Sequence, residues 1–249
     1  MNTLAPLMLI VFLANGVEMI AGFGSTLLAL TFGALLFPIE ELVAVLVPLN
    51  LILSAYIVMR YGGQIHKRML FKKILPFTLL GMPLGIYLFR YSNELPLGLI
   101  FGITVIFLAG FELFRIFRSS SEDSKKPLAV LWGSVVLFIG GIMQGLYASG
   151  GPFVVYFTSR SSLNKGQFRS TLSLLWLILN IVLTFSLVNS GKIDSESLQY
   201  SAYLLPFVLG GMFVGSKVHH HLSEELFKRG VYILLFFAGF SLVYKNIHH

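Results

Sequence analysis

Cysteine is absent from the chain, which excludes disulfides, thiolate metal sites and thiol redox chemistry. Charge is scarce as well: 12% of the 249 residues are Asp, Glu, Lys or Arg, against roughly 25% in an average soluble domain. No polar stretch is long enough to form a separate soluble domain, so the chain reads as one membrane domain. No glycine-rich nucleotide-binding motif occurs, leaving ion gradients or facilitated diffusion as the energy source for any transport. No His/Asp/Glu cluster with metal spacing and no nucleophile–base set falls within the apolar runs, which argues against a membrane-embedded enzyme. Before the first apolar run there is no Lys or Arg, and no small-residue cleavage site ends it, so residues 1–20 are expected to be a retained span.

What is present is hydrophobic: 56% of residues are apolar and mean hydropathy is +0.82. The net charge of +7 could point to nucleic acid, but the basic residues lie in short loops between apolar runs, where membrane topology accounts for them. No nucleic-acid partner is expected.

Residues 4–37 are almost continuously apolar, too long for one helix across about 30 Å of hydrocarbon, and are interrupted at Gly22 and Gly24. They read as a helical hairpin with a long arm, 4–21, and a return arm, 24–37. A span over 40–60 follows, with Pro48 and Asn50 inside it. The basic stretch from Arg60 to Lys73 reads as a loop with a short amphipathic surface helix. Spans at 75–90 and 96–118 lead to a polar linker, 119–127. The second half repeats the order: 128–147, a break at Ser149-Gly150-Gly151, a short arm to about Tyr156, then spans 168–190, 198–217 and 231–245.

The repetition extends to particular residues. Leu75-Pro76-Phe77 with Gly81 and Gly85 returns as Leu205-Pro206-Phe207 with Gly211 and Gly215, an offset of 130, and Asn50 with Ser54 matches Asn180 with Thr184 at the same offset. The two glycine breaks align at an offset of about 126, which also pairs Glu18 with Gln144. An internal duplication explains so many matches in one order. If each broken hairpin enters and leaves on one side, 15 of the 18 Lys and Arg lie in cytoplasmic loops, all except Arg90, Lys192 and Lys245. That arrangement makes the repeats inverted, as in many secondary transporters, with a substrate site near midplane where broken helices meet. The expected fold is therefore an all-α polytopic membrane protein of two inverted repeats, 1–118 and 128–249, of about five helical segments each.

Three stretches carry a resemblance over essentially the whole chain: Ala21-Gly22-Phe23-Gly24-Ser25, Gly150-Gly151-Pro152-Phe153-Val154-Val155-Tyr156 and Lys165-Gly166-Gln167-Phe168-Arg169-Ser170-Thr171-Leu172. On these the chain resembles the sulfite exporter TauE/SafE family of bacterial membrane transporters. The resemblance implies export of sulfite or small organosulfonates across the inner membrane.

An unwound backbone at membrane depth persists only where protein, water or a ligand satisfies its polar groups, and the helix start that follows favours an anion. The residues expected to hold a small anion are Gly22, Gly24, Ser25 and Thr26 at the first break, and Tyr147, Ser149, Gly150 and Gly151 at the second. The alternative for the glycines is close helix packing. Asn50 and Asn180 either pair with freed backbone at the breaks or touch the substrate. Glu18, deep in an apolar run, is a candidate proton carrier or a buried hydrogen-bond partner of the break. Arg160, Lys165 and Arg169 either draw anions to a cytoplasmic entrance or set topology. The runs His219-His220-His221 and His248-His249 read as solvated ends rather than metal ligands. No cofactor is expected; the partners are the anion, protons and the lipid bilayer. The rival readings are a transporter of another small anion and a non-transporting membrane scaffold.

Overall fold

The computed structural model describes residues 4–248 apart from residues 22, 92–94, 119–129, 159, 162 and 219–223. Gly22, the 92–94 turn, the 119–127 linker, the His219-His220-His221 run and His249 therefore lie outside the described residues. Every regular element among the described residues is a helix. In chain order they are α1 (Leu4–Ala21), α2 (Ser25–Gly33), α3 (Ile39–Tyr61), α4 (Lys67–Met69), α5 (Leu75–Arg90), α6 (Leu97–Arg118), α7 (Val130–Tyr147), α8 (Gly151–Thr158), α9 (Lys165–Asn189), α10 (Ser195–Val218) and α11 (Glu224–His248). Seven helical stretches among the described residues are long and apolar enough to cross a membrane, and Leu4–Met19 adds a shorter apolar one.

Element ends follow local chemistry. Asn164 caps α9: its side chain accepts the Gln167 amide at 2.8 Å while Gln167 Oε1 accepts the Asn164 amide at 3.3 Å. This reciprocal cap satisfies two donors at once and starts α9 three residues before the apolar run does. Asp194 does the same for α10, accepting from the Ser197 amide at 2.8 Å while its own amide donates to Ser197 Oγ at 2.9 Å. The basic stretch departs from expectation. Lys67 to Lys73 form no separate surface helix: α4 passes through a π turn, Leu70–Ile74, directly into α5. Pro76, without an amide hydrogen, leaves the Lys72 carbonyl unmatched in a regular ladder, and a widened turn ahead of it accommodates the loss. The first return arm is also shorter than its apolar run, since α2 ends at Gly33 and the chain turns before α3.

The chain divides into two compact units. One comprises Met1–Leu42, Ser92–Ser120 and Ala202–His249 and holds α1, α2, α6, most of α10 and α11. Inside it α10 lies so close to α1 that a Cβ on Gly211 would fall on the Phe12 carbonyl oxygen and one on Gly215 on that of Gly16. Helix α6 meets α11 at Gly102 and Gly239, where a Cβ would stand 2.9 Å from Val243 Cγ2 and 2.8 Å from Ile106 Cγ1, respectively. Lys245 on α11 donates to the carbonyls of Ala34 and Leu35 at 3.1 and 3.3 Å, closing the end of α2 with a charge that suits a helix C-terminus.

The other unit comprises Val43–Tyr91 and Ser121–Ser201 and holds most of α3, then α4, α5, α7, α8 and α9. Its closest crossing is α5 on α7: a Cβ on Gly81 or Gly85 would fall on the carbonyls of Phe138 or Ile142, and one on Gly141 or Gly145 on those of Thr78 or Met82. The same crossing thus occurs in both units, with Gly81 and Gly85 answering to Gly211 and Gly215, and Phe138 and Ile142 to Phe12 and Gly16. In hydrocarbon, where apolar burial drives little association, such backbone-to-backbone proximity is what holds helices together. Leu172, Leu175, Leu179, Leu183 and Leu187 form the buried stripe of α9, all at most 2% exposed, while Ile181, Val182, Phe185 and Val188 face outward. Asn180 lies beside that stripe, 3% exposed.

Candidate functional site

Each unit contains one of the glycine breaks, and each break is tied back to the preceding helix by a side chain. In the first unit Gly24 adopts φ +101°, a left-handed conformation that only glycine enters freely. A Cβ there would meet nothing within 4 Å, so the glycine is required by conformation and not by space. Ser25 then opens α2, and its amide donates to Glu18 Oε2 at 2.9 Å. A carboxylate at a helix N-terminus complements the orphan amides and partial positive charge there. Glu18 is half-buried, Thr26 is half-buried, and Ser25 Oγ is buried without a hydrogen-bond partner. Asn15 is satisfied within its own helix, donating to the Val11 carbonyl at 2.8 Å.

In the second unit α7 ends at Tyr147, fully buried, and the chain turns through Ala148 at φ +51°. A non-glycine residue in this region carries backbone strain of about 1 kcal/mol. The amide of Gly150 donates to Gln144 Oε1 at 3.1 Å, and Gln144 Nε2 donates to Asn180 Oδ1 at 2.9 Å. Gln144 thus does for α8 what Glu18 does for α2, with a neutral amide in place of a carboxylate, and Asn180 on α9 fixes its orientation. Asn180 thus reaches the break through the Gln144 side chain. Asn50, its counterpart at an offset of 130, lies half-buried on α3.

Gly150 packs against α7, where a Cβ would fall on the Gly140 carbonyl oxygen. Ser149, 4% exposed, has its Oγ buried and unpartnered, like that of Ser25. Helix geometry leaves the amides of Gly151 and Phe153 without intrahelical acceptors, while Pro152 between them has no N–H to satisfy. The second break therefore offers hydroxyl and amide donors, with no charged side chain among Gln144, Tyr147, Ser149, Gly150, Gly151 and Asn180.

The Lys165–Leu172 motif has a different place. Gly166 lies tight against the Gln64 side chain, Arg169 stacks 4.5 Å over the Tyr61 ring, and Thr171 Oγ1 accepts the His66 amide at 2.9 Å. These contacts clasp the α3–α4 connection to the start of α9. Arg160 stacks 4.4 Å over the ring of Tyr156. Asn164, which the candidate residues do not include, holds this motif in place; its sequence signal is Asn-x-x-Gln directly before an apolar run. Among the described residues no group of three or more His, Cys, Asp or Glu gathers where a metal ion could sit.

Comparison with known proteins agrees with this architecture. The family model for the sulfite exporter TauE/SafE matches residues 7–242. A probable inner membrane transporter protein, TsaS of Comamonas testosteroni, is 22% identical over 103 residues, 41% of this chain and 43% of that protein. The matched region thus spans less than half of that relative. No solved structure matches the chain. A match over nearly the whole length, on an all-helical membrane fold, places the chain in the sulfite exporter TauE/SafE family.

Proposed function

We propose that this multi-pass inner membrane transporter moves small sulfur oxyanions, sulfite or organosulfonates, outward as a secondary transporter. Family membership supports the sulfur chemistry. The observation that carries this reading is a buried hydroxyl at each helix break, Ser25 Oγ in one unit and Ser149 Oγ in the other, each without a hydrogen-bond partner. Leaving such a group unpaired costs about 1–3 kcal/mol, so a ligand oxygen that accepts from it returns that energy on binding. Sulfite and sulfonate oxygens are acceptors and suit donors of this kind. Gly24, Thr26, Gly150, Gly151, Tyr147 and Asn180 shape the two breaks, and Gly22 and Asn50 belong to the same proposed set.

Glu18 is the proposed proton carrier. Its carboxylate accepts the Ser25 amide, and protonation would remove a negative charge beside an arriving anion. The test is binding of sodium sulfite to purified protein by calorimetry. Ser149→Ala is expected to weaken binding by roughly tenfold, the value of one hydrogen bond to a charged group, while leaving the protein folded and monodisperse. Unchanged affinity in both Ser25→Ala and Ser149→Ala would remove the breaks from the substrate path. Binding of another small inorganic anion in preference to sulfite and sulfonates would favour the rival cargo.

A further inference from the structure

Five buried helical hydroxyls share one habit. Thr31, Thr78, Thr158, Ser173 and Ser201 each donate to the carbonyl four residues back, at 2.6 to 3.1 Å. Thr184 on α9 has the same option toward the Asn180 carbonyl and does not take it. Its Oγ1 is buried and without a hydrogen-bond partner, a condition it shares among the described serines and threonines with Ser25 and Ser149 at the breaks. Thr184 and Ser149 belong to the same unit.

The placement of Thr184 on α9 gives this a direction. Residues four apart on a helix share a face, so the half-buried Thr184 stands one turn beyond Asn180 at the edge of that side, next to the outward-facing Ile181 and Val188. That side is fixed toward the α7–α8 break, because Asn180 Oδ1 accepts from Gln144, which itself accepts the Gly150 amide. A donor withheld from its own backbone on the face that supports the break fits a ligand contact better than a packing role, in which the hydroxyl would turn to the nearest carbonyl.

We propose that Thr184 is a further specificity-determining residue of the second break, donating its hydroxyl, together with Ser149, to the oxygens of a small acceptor-only sulfur oxyanion. The proposal rests on the reading of the break as an anion site. Because both donors are neutral, they orient oxygens without a fixed opposite charge, which allows release as well as capture.

Thr184→Val keeps the shape and removes the donor; Thr184→Ser keeps the donor. The measurement is the thermal unfolding midpoint in detergent with and without sodium sulfite or methanesulfonate, with dissociation constants by calorimetry. Thr184→Val is expected to unfold at or above the parent temperature without ligand, to lose the ligand-induced rise, and to bind at least about tenfold more weakly. Thr184→Ser is expected to bind as the parent does. If Thr184→Val binds like the parent while Ser149→Ala loses binding, Thr184 is no ligand contact and the anion site stands without it. If Ser149→Ala also binds like the parent, the reading of the break fails and takes this proposal with it. A lowered midpoint in the ligand-free valine variant would assign Thr184 to structure and overturn the proposal.

Discussion

Glu18 and Gln144 hold equivalent helix starts with the same reach and different charge, so a single substitution separates capping from charge. Glu18→Gln copies the side chain that already serves α8 and is expected to leave the cap on Ser25 and the unfolding midpoint nearly unchanged. If Glu18 carries protons, sulfite flux in this variant loses its response to a pH gradient while binding at mildly alkaline pH stays as tight or tighter. A normal pH-driven flux would leave Glu18 with the structural role alone. Outside the spans, Asp194 gives a second pH signature. The Ser197 amide, and then the Ser197 hydroxyl, hold its carboxyl below the ordinary carboxylate value. The ionised cap therefore stabilises α10 above pH about 4, and that contribution fades as pH falls through the lowered value. Asp194→Asn retains a capping oxygen and is expected to flatten this part of the midpoint-against-pH curve below about pH 4.

Helix breaks built on glycine behave differently according to why the glycine is there. Gly24 stands in open space at φ +101°, so Gly24→Ala meets only backbone strain of about 1–2 kcal/mol. At Gly150 a Cβ would land on the Gly140 carbonyl, so Gly150→Ala must push α8 off α7 and is expected to lower the unfolding midpoint much further. Equal losses in the two variants would contradict this distinction. Much of this scale is legible in the sequence, because long apolar runs, interior prolines and paired glycines mark spans, breaks and close crossings without tertiary knowledge. The partners are less legible: Gly81 and Gly85 announce a tight crossing, but nothing in their spacing names Phe138 and Ile142 as the residues they meet. Ala148 is the clearest omission, since alanine carries no turn signal and its left-handed conformation is imposed by the fold around Gln144 and Gly150. The Asn180–Gln144 bond joins residues 36 apart, and only the demand that a buried amide find a partner hinted at it.

For the whole molecule, the distribution of Lys and Arg and the residue-by-residue match of two halves support a proposed inverted repeat with cytoplasmic loops at 60–73, 119–127, 160–167 and 218–230. The recurrence of one glycine crossing in both compact units, at the offsets seen in the sequence, adds weight to the duplication. Because the chain contains no cysteine, single cysteines report topology cleanly. One at position 164 is expected to react only with reagent supplied from the cytoplasmic side, and labelling from outside would remove the re-entrant hairpin and the inversion with it. Substrate identity is not legible at this scale: the breaks offer neutral donors that any small oxyanion could use, so the sulfur assignment comes from family membership. The most direct measurement is flux of radiolabelled sulfite across proteoliposomes holding the purified protein, with Ser149→Ala in parallel. The account predicts saturable flux above protein-free liposomes, inhibition by unlabelled organosulfonate, and a marked loss in the variant; flux no greater than in empty liposomes would contradict it.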